Sequence, residues 1–233
     1  MFPNSDMLGL RGYVPILEHS FVFVNANILR NLVYNIGCTI NRTHGGKFML
    51  YSLIGSIFDS TAGVLVNPVN TKGVSGAGLA LEFKKRFPRC TKRYEELCAT
   101  GQFKIGTLLL LNEMDLAQRE AEAEERSLTE EERAAIIPQK VLYFPTKDEW
   151  RFPSKMEYIE AGLDKFAKSY ESKKILSACF PMLGCGCGKL KWDEVYPLMD
   201  KYLNPILCQC VVVHADANGK PFTLPDEIGG AAS

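Results

Sequence analysis

Residues 63–78 read Gly63-Val64-Leu65-Val66-Asn67-Pro68-Val69-Asn70-Thr71-Lys72-Gly73-Val74-Ser75-Gly76-Ala77-Gly78, and the order of residue types here decides the fold. Residues 63–69 form a short apolar run, β-branched at Val64, Val66 and Val69, which suits a strand buried on both faces of a parallel sheet. Asparagine, glycine and serine then break the run. In residues 78–87, Leu79, Leu81, Phe83 and Phe87 fall near helical spacing, and Pro88 closes the segment. A second strand, loop and helix follow downstream: residues 174–180, then Pro181-Met182-Leu183-Gly184-Cys185-Gly186-Cys187-Gly188, then residues 192–202. In a parallel sheet both loops lie at the carboxyl ends of strands, where ligands bind. Glycine lets backbone come close, and successive N–H groups with a helix start hold an anion. Two such loops facing each other can grip a diphosphate from both sides. Neither is a Walker A motif or a clean Gly-x-Gly-x-x-Gly. Asn67 and Asn70 carry neutral amides suited to sugar hydroxyls; turn formation is their alternative role.

The rest of the chain extends this pattern. Strands are expected over 48–53, 107–111, 141–144 and 208–214, and helices over 91–99 and 154–169. Alternation of this kind argues for an α/β fold with a largely parallel sheet covered on both faces. Residues 1–47 have apolar pieces but no sustained period, so they read as an N-terminal extension. Residues 48–214 form the main domain, and residues 215–233, rich in Gly, Pro and Ala, a flexible tail. Residues 113–139 interrupt the domain as an acidic helical insertion. Between 113 and 133, nine acids stand against three arginines, a net −6, and Ser127-Leu128-Thr129-Glu130 offers a cap between two short helices. A charge run of this kind is expected to be a solvated surface arm.

Lys plus Arg is 27 and Asp plus Glu is 27, so removing the insertion's −6 leaves +6 elsewhere. Much of it lies in Lys84, Lys85, Arg86, Arg89, Lys92, Arg93 and Lys104, against Glu95 and Glu96. Such a patch suits a polyanion, with ordinary solvated helix faces as the alternative. At 46% apolar and 23% charged residues, the chain is in the globular range, which excludes disorder throughout and a collagen. No apolar run approaches the ~20 residues that span a bilayer, so no membrane partner is expected. Residues 1–20 carry Asp6 and Glu18 and lack a secretory pattern. The eight cysteines then read as reduced thiols, with a cytoplasmic location, or nuclear in a eukaryote. Cys185-x-Cys187 and Cys208-x-Cys210 have poor zinc spacing, and no metal or cofactor is expected. Trp150 and Trp192 read as core or cap residues, Trp150 being the candidate for an exception.

Asn67-Pro68-Val69-Asn70, residues 76–87 and Gly184-Cys185-Gly186-Cys187-Gly188 resemble the signature, loop–helix and phosphate loop of the macrodomain family, the ADP-ribose-binding α/β/α modules. The resemblance implies a three-layer α/β/α fold with a mixed, mostly parallel central sheet and one subunit per molecule. It implies ligand binding by Ile57, Asn67, Asn70, Gly76, Ala77, Gly78, Pro145, Thr146, Leu183, Gly184, Cys185, Gly186, Cys187 and Gly188. Phe144-Pro145-Thr146-Lys147, followed by Trp150-Arg151 and residues 157–163, is similar to two branches. One comprises antitoxin macrodomains that strip ADP-ribose from thymidine in DNA; the other comprises terminal ADP-ribose protein glycohydrolases. That likeness makes Lys147 the implied catalytic lysine and Trp150 and Arg151 implied substrate contacts. It also implies ADP-ribose or ADP-ribosylated DNA as ligand, ahead of modified protein, and an ADP-ribosyltransferase toxin as partner.

A deprotonated amine can attack the anomeric carbon and form a Schiff-base-type adduct after ring opening, provided burial opposes the effect of nearby phosphates on its pKa. An ammonium could instead protonate the leaving group or fix the distal ribose. Three residues depart from the family pattern. Gly55-Ser56-Ile57 has serine where many members place an aspartate on adenine. Gly188 stands where the protein branch has an aspartate, which favours DNA over carboxylate-linked protein substrates. Ala77, by contrast, stands where many antitoxins have lysine and the protein branch has alanine, which weakens the expected nucleic-acid contact. The expected activity is an ADP-ribosyl glycohydrolase; a non-catalytic ADP-ribose reader and an ADP-ribose 1″-phosphate phosphatase are the alternatives.

Overall fold

The computed structural model describes residues 51–206 and 209–214. The expected extension over 1–47 and tail over 215–233 lie outside the described residues. Six strands form one sheet: β1 Tyr51–Ile54, β2 Val64–Asn70, β3 Leu109–Asn112, β4 Lys140–Lys147, β5 Ser177–Pro181 and β6 Gln209–His214. Their order is β1-β6-β5-β2-β4-β3, every neighbouring pair being parallel except β3 with β4. Six α-helices accompany them: α1 Gly78–Arg86, α2 Pro88–Ala99, α3 Glu113–Ala123, α4 Glu130–Ala135, α5 Met156–Ser169 and α6 Trp192–Leu203. No helix among the described residues is long and apolar enough to cross a membrane.

The central strands read as continuous apolar runs because both of their faces are covered. Val64, Val66, Leu142, Phe144, Ala178 and Phe180 pack on one side with Ile159, Leu163 and Phe166 of α5 and Val195, Met199 and Leu203 of α6. The alternate positions Leu65, Val69, Val141, Tyr143 and Cys179 pack on the other with Phe83 of α1 and Cys90 and Tyr94 of α2. Pro88 both ends α1 and opens α2, so α2 begins three residues before its expected start. Strand β4 runs three residues past its expected end at 144 and so carries Lys147 as its last residue.

The acidic insertion is not simply a solvated arm. Asn112 caps α3 by accepting from Met114 N at 2.8 Å. Ala117, Ala121 and Leu128 are buried, with Met114 and Ile136 against them. Glu113 is only 2% exposed. Its carboxylate accepts from Arg89 N and Cys90 N, both at 2.9 Å, at the start of α2, a helix whose own N-cap Phe87 supplies no side-chain cap. Arg89 then reaches Glu120 at 2.7 Å. The expected cap also shifts: Thr129 and Glu132 form the capping box of α4, two residues beyond Ser127 and Glu130.

The expected basic patch is largely neutralised. Lys84 pairs with Glu95 at 2.8 Å, Lys85 and Arg86 with Glu82 at 2.7 and 2.6 Å, and Arg93 with Glu96 at 3.0 Å.

One contact sets the spacing between helix and sheet beneath the site. A Cβ on Gly162 of α5 would lie 2.2 Å from Cζ of Phe144. Alanine would gain about 1 kcal/mol of helix propensity over glycine, but overpacking costs about 1–3 kcal/mol or more. With so close an approach placing the cost at the upper end of that range, Gly162→Ala is expected to lower unfolding free energy by about 2 kcal/mol in urea titration, and adding Phe144→Leu to recover part of the loss. Equal stability of Gly162→Ala and wild type would refute this packing.

Candidate ligand-binding and active site

Strands β2 and β4 pair along seven positions, with one register shift after Val69, whereas β2 and β5 pair only at Val64 with Ala178 and Leu65 with Cys179. The chain leaves β2 for α1 on one face of the sheet and leaves β5 for α6 on the other. The carboxyl ends of these neighbours therefore part, and a crevice opens at the switch point. It is a cleft of about 920 Å³ floored by Pro68, Val69 and Asn70 of β2, Thr146 and Lys147 of β4, and Pro181 and Met182 at the end of β5. That volume is in the range of small-molecule and cofactor sites.

The first wall follows β2. Asn70 folds its own loop: Oδ1 accepts from Lys72 N at 2.9 Å and Val74 N at 3.2 Å, and Nδ2 donates to Val74 O at 2.7 Å. Tyr94 Oη donates to Asn70 O at 2.6 Å. Asn70 thus takes the turn-forming role and also lines the cleft. Gly76, Ala77 and Gly78 carry the chain into α1, and Gly78 adopts φ +57°, a conformation glycine takes freely. Ala77 gives α1 no side-chain cap, the first turn holds no acid, and the first helical bond is Leu81 N to Ala77 O. The amides of Gly78, Leu79 and Ala80 are left for an anion, at the positive end of the helix dipole.

The second wall follows β5. Cys185 N bonds Met182 O, Lys189 N bonds Gly186 O, and Leu190 N bonds Gly184 O, at 3.0–3.2 Å. These turns leave the amides of Gly186, Cys187 and Gly188 without partners among the described residues. Gly188 is a spacer: a Cβ there would lie 2.2 Å from Gly184 O and 2.3 Å from Ser154 Oγ. No carboxylate-bearing residue fits this backbone. Gly186 faces open space, with nothing within 4 Å of a built Cβ. Burial pushes the Cys185 thiol up to about 12, with Asp193 adding to the effect, so it stays protonated at neutral pH.

Lys147 stands between the walls. Val69 pairs with Pro145 but Asn70 pairs with Lys147, so Thr146 is an extra residue in a bulge. The bulge re-aims the last residue of β4 into the cleft. The amine donates to Cys187 O at 2.5 Å and to Trp150 O at 3.4 Å. Partial burial holds its pKa below the ordinary lysine value; Cys187 opposes this, and the charge of Lys189 adds a smaller lowering effect.

At the other end, Ser56 Oγ accepts from Phe58 N at 3.2 Å as the cap of a 3-10 turn over Ile57–Asp59. Ile57 and Phe58 line the cleft there, and the Arg86 guanidinium lies 4.1 Å from the Phe58 ring centroid. Phe58 and Arg86 were not expected from the sequence; the signal available was an aromatic beside Ile57 and a cation at the end of the first helix. Not every expected ligand residue reaches the cleft. Asn67 shares the face of Leu65 and Val69; it is fully buried, with Oδ1 and Nδ2 both unpartnered among the described residues, and does not line the cavity. Pro145 is buried in the strand, Leu183 is core, and Arg151 lies outside the lining. Ile57, Gly76, Ala77, Thr146, Trp150 and residues 184–188 do line it, and Trp192 is core.

A cleft of this construction defines a class, the three-layer α/β/α modules that seat an elongated anionic ligand across the open end of a sheet. The chain belongs to the Macro domain family, whose model matches residues 66–199. It is 36% identical over 147 residues to the DNA ADP-ribosyl glycohydrolase of Thermus aquaticus, a match covering 63% of this chain and 36% of that protein. The structure is similar to the macrodomain of Thermus aquaticus DarG, with TM-score 0.58, 34% identity and coverage of 71% and 97% of the two chains. It is also similar to Thermosipho africanus DarTG in complex with ADP-ribose, with TM-score 0.59, 30% identity and coverage of 75% and 43%. The chain spans about a third of the length of the curated DNA ADP-ribosyl glycohydrolases it matches, 36% and 35% of the first two.

The lowered pKa is directly measurable. At mildly alkaline pH, Lys147 carries a larger fraction of free amine than an unperturbed lysine with pKa near 10.4. Limited acylation followed by peptide mapping is expected to modify Lys147 ahead of the exposed Lys84 and Lys168. Uniform labelling would contradict it.

Proposed function

We propose that this chain is an ADP-ribosyl glycohydrolase that releases ADP-ribose from a modified macromolecule, thymidine-linked ADP-ribose in DNA first, with Lys147 as the catalytic group. The observation that carries the reading is the Lys147 amine inside the cleft, between two loops of free amides, with its pKa depressed. The relatives' names supply the substrate class. In this reading the diphosphate lies between the amides of 78–80 and 186–188. Adenine lies towards Ile57, Phe58 and Arg86, and the distal ribose lies towards Asn70 and Lys147.

Few lining groups can do the chemistry. Glu82 is drawn to Lys85 and Arg86, whose hydrogen bonds hold its carboxyl below the usual range. Gly188 leaves no carboxylate in the phosphate loop. The lysine remains, and its neutral form is a nucleophile. Its Nζ bonds to C1″, and the C1″–base bond breaks with its electron pair leaving on the base, which takes a proton from solvent. Ring opening gives the iminium adduct; water then adds to C1″, the C1″–Nζ bond breaks, and ADP-ribose departs with the amine restored. The modification requires an ADP-ribosyltransferase as supplier, which accords with the relative from Thermosipho africanus named as a transferase–glycohydrolase fusion. A cytoplasmic setting and a single-subunit enzyme go with this reading.

The test is a substrate panel of ADP-ribosylated single-stranded DNA, protein modified on carboxylates, and ADP-ribose 1″-phosphate. Wild type is expected to release ADP-ribose from DNA, and Lys147→Ala to lower the rate by ~1,000-fold or more. Because the neutral amine acts, kcat/KM should rise with pH through an apparent pKa below that of ordinary lysine. Binding of ADP-ribose without turnover of any substrate would leave only a reader, and phosphate release alone would identify a phosphatase.

A further inference from the structure

The mouth of the cleft carries a surface that extends beyond its lining residues, since Trp150 lines the cleft and Phe152 does not. Four large apolar side chains are exposed among the described residues, and two of them are aromatics in the loop between β4 and α5: Trp150, 46% exposed, and Phe152, 66% exposed. Single exposed apolar residues are ordinary; two aromatics this close, with a cation between them and a candidate catalytic lysine beside them, are not. The loop is held in place. Phe152 N bonds Glu149 O at 3.2 Å, Trp150 N donates to Glu149 Oε1 at 3.0 Å, and Ser154 N ties the loop to Gly188 O at 2.9 Å. The Arg151 guanidinium lies 4.9 Å from the Trp150 ring centroid. One cation thus sits on the indole, and the exposed part of the ring is left for a ligand.

The charge distribution points to the same rim. The cations of α1 and α2 that suggested a polyanion site are mostly paired with Glu82, Glu95, Glu96 and Glu120. Arg151, Lys189 and Lys191 form no ion pair among the described residues, and all three are exposed. Lys189 and Lys191 lie on the β5–α6 loop that Ser154 joins to the aromatic loop. Two acids stand on the aromatic side: Asp148 is engaged by Thr71 and Lys72, and the Glu149 carboxylate accepts from Trp150 N.

We propose that this rim is a platform for single-stranded DNA: Trp150 and Phe152 stack on bases beside the modified nucleotide, and Arg151, Lys189 and Lys191 hold the intervening phosphates. Flat exposed rings need exposed base faces, which a duplex hides and a single strand offers. The inference rests on the glycohydrolase reading for the identity of its ligand, but not for its own binding.

Trp192 is buried and the chain has only these two tryptophans, so quenching of tryptophan fluorescence by a short unmodified oligothymidylate reports on Trp150. Quenching is expected in wild type. It should weaken with salt at a log–log slope of roughly −2 for three phosphate contacts. Phe152→Ala is expected to raise KM for an ADP-ribosylated oligonucleotide by about tenfold while calorimetric affinity for free ADP-ribose is unchanged. Lys191→Ala should lower the salt slope by about 0.7. Turnover with no quenching and equal KM in Phe152→Ala overturns the platform and leaves the enzyme standing. Quenching without turnover of any substrate sinks the glycohydrolase reading and leaves the platform. Equal quenching by a polyglutamate peptide overturns the nucleic-acid assignment in favour of a protein-docking surface.

Discussion

The site depends on where two neighbouring strands stop pairing. Strands β2 and β5 share two register positions and then separate, although each continues towards its carboxyl end. Had the pairing run on, backbone hydrogen bonds would fill the space the cleft occupies. The separation follows from connectivity, since one strand feeds a helix on one face and its neighbour feeds a helix on the other. The two amide-bearing loops are then on opposite sides of one opening.

Within that opening the backbone has already excluded most chemistry. Side-chain hydrogen bonds of Asn70 shape the first loop, and close packing of Gly184, Gly188 and Ser154 shapes the second. Both loops present N–H groups, and the second adds the free thiols of Cys185 and Cys187. What distinguishes this cleft from a passive anion cradle is one extra residue in β4, the bulge at Thr146, which delivers an amine to the wall formed by Cys187. Partial burial keeps that amine from behaving as an ordinary surface lysine.

Much of this was legible in the sequence, because the features that build it are periodic or conformationally extreme. β-branched runs mark buried strands, and glycines mark close approach, so the strand–loop–helix units around residues 63–87 and 174–202 stand out. The largely parallel sheet and the cleft at its carboxyl ends follow from the same alternation, whereas its mixed character is implied only by the family resemblance. What sequence could not fix is which way a side chain faces near a bulge or strand end. Asn67 and Asn70 look equivalent on paper, yet period two turns Asn67 into the core while Asn70 reaches the cleft. Pairing partners are equally hidden: the cations of the first two helices looked free until neighbouring turns and the insertion supplied their acids. Phe58 and Arg86 come together from segments 28 residues apart, which no local pattern signals.

The burial of Glu113 changes how the acidic segment should be regarded. Its carboxylate is the cap that α2 lacks, and α2 carries Tyr94, whose hydroxyl holds the carbonyl of Asn70. A decoration that seemed dispensable is thus wedged like a keystone, linked through α2 to the Asn70 end of the cleft. Trimming the outer acids of 122–131 would spare that wedge, whereas excision at the base would unseat a helix that shapes the opening.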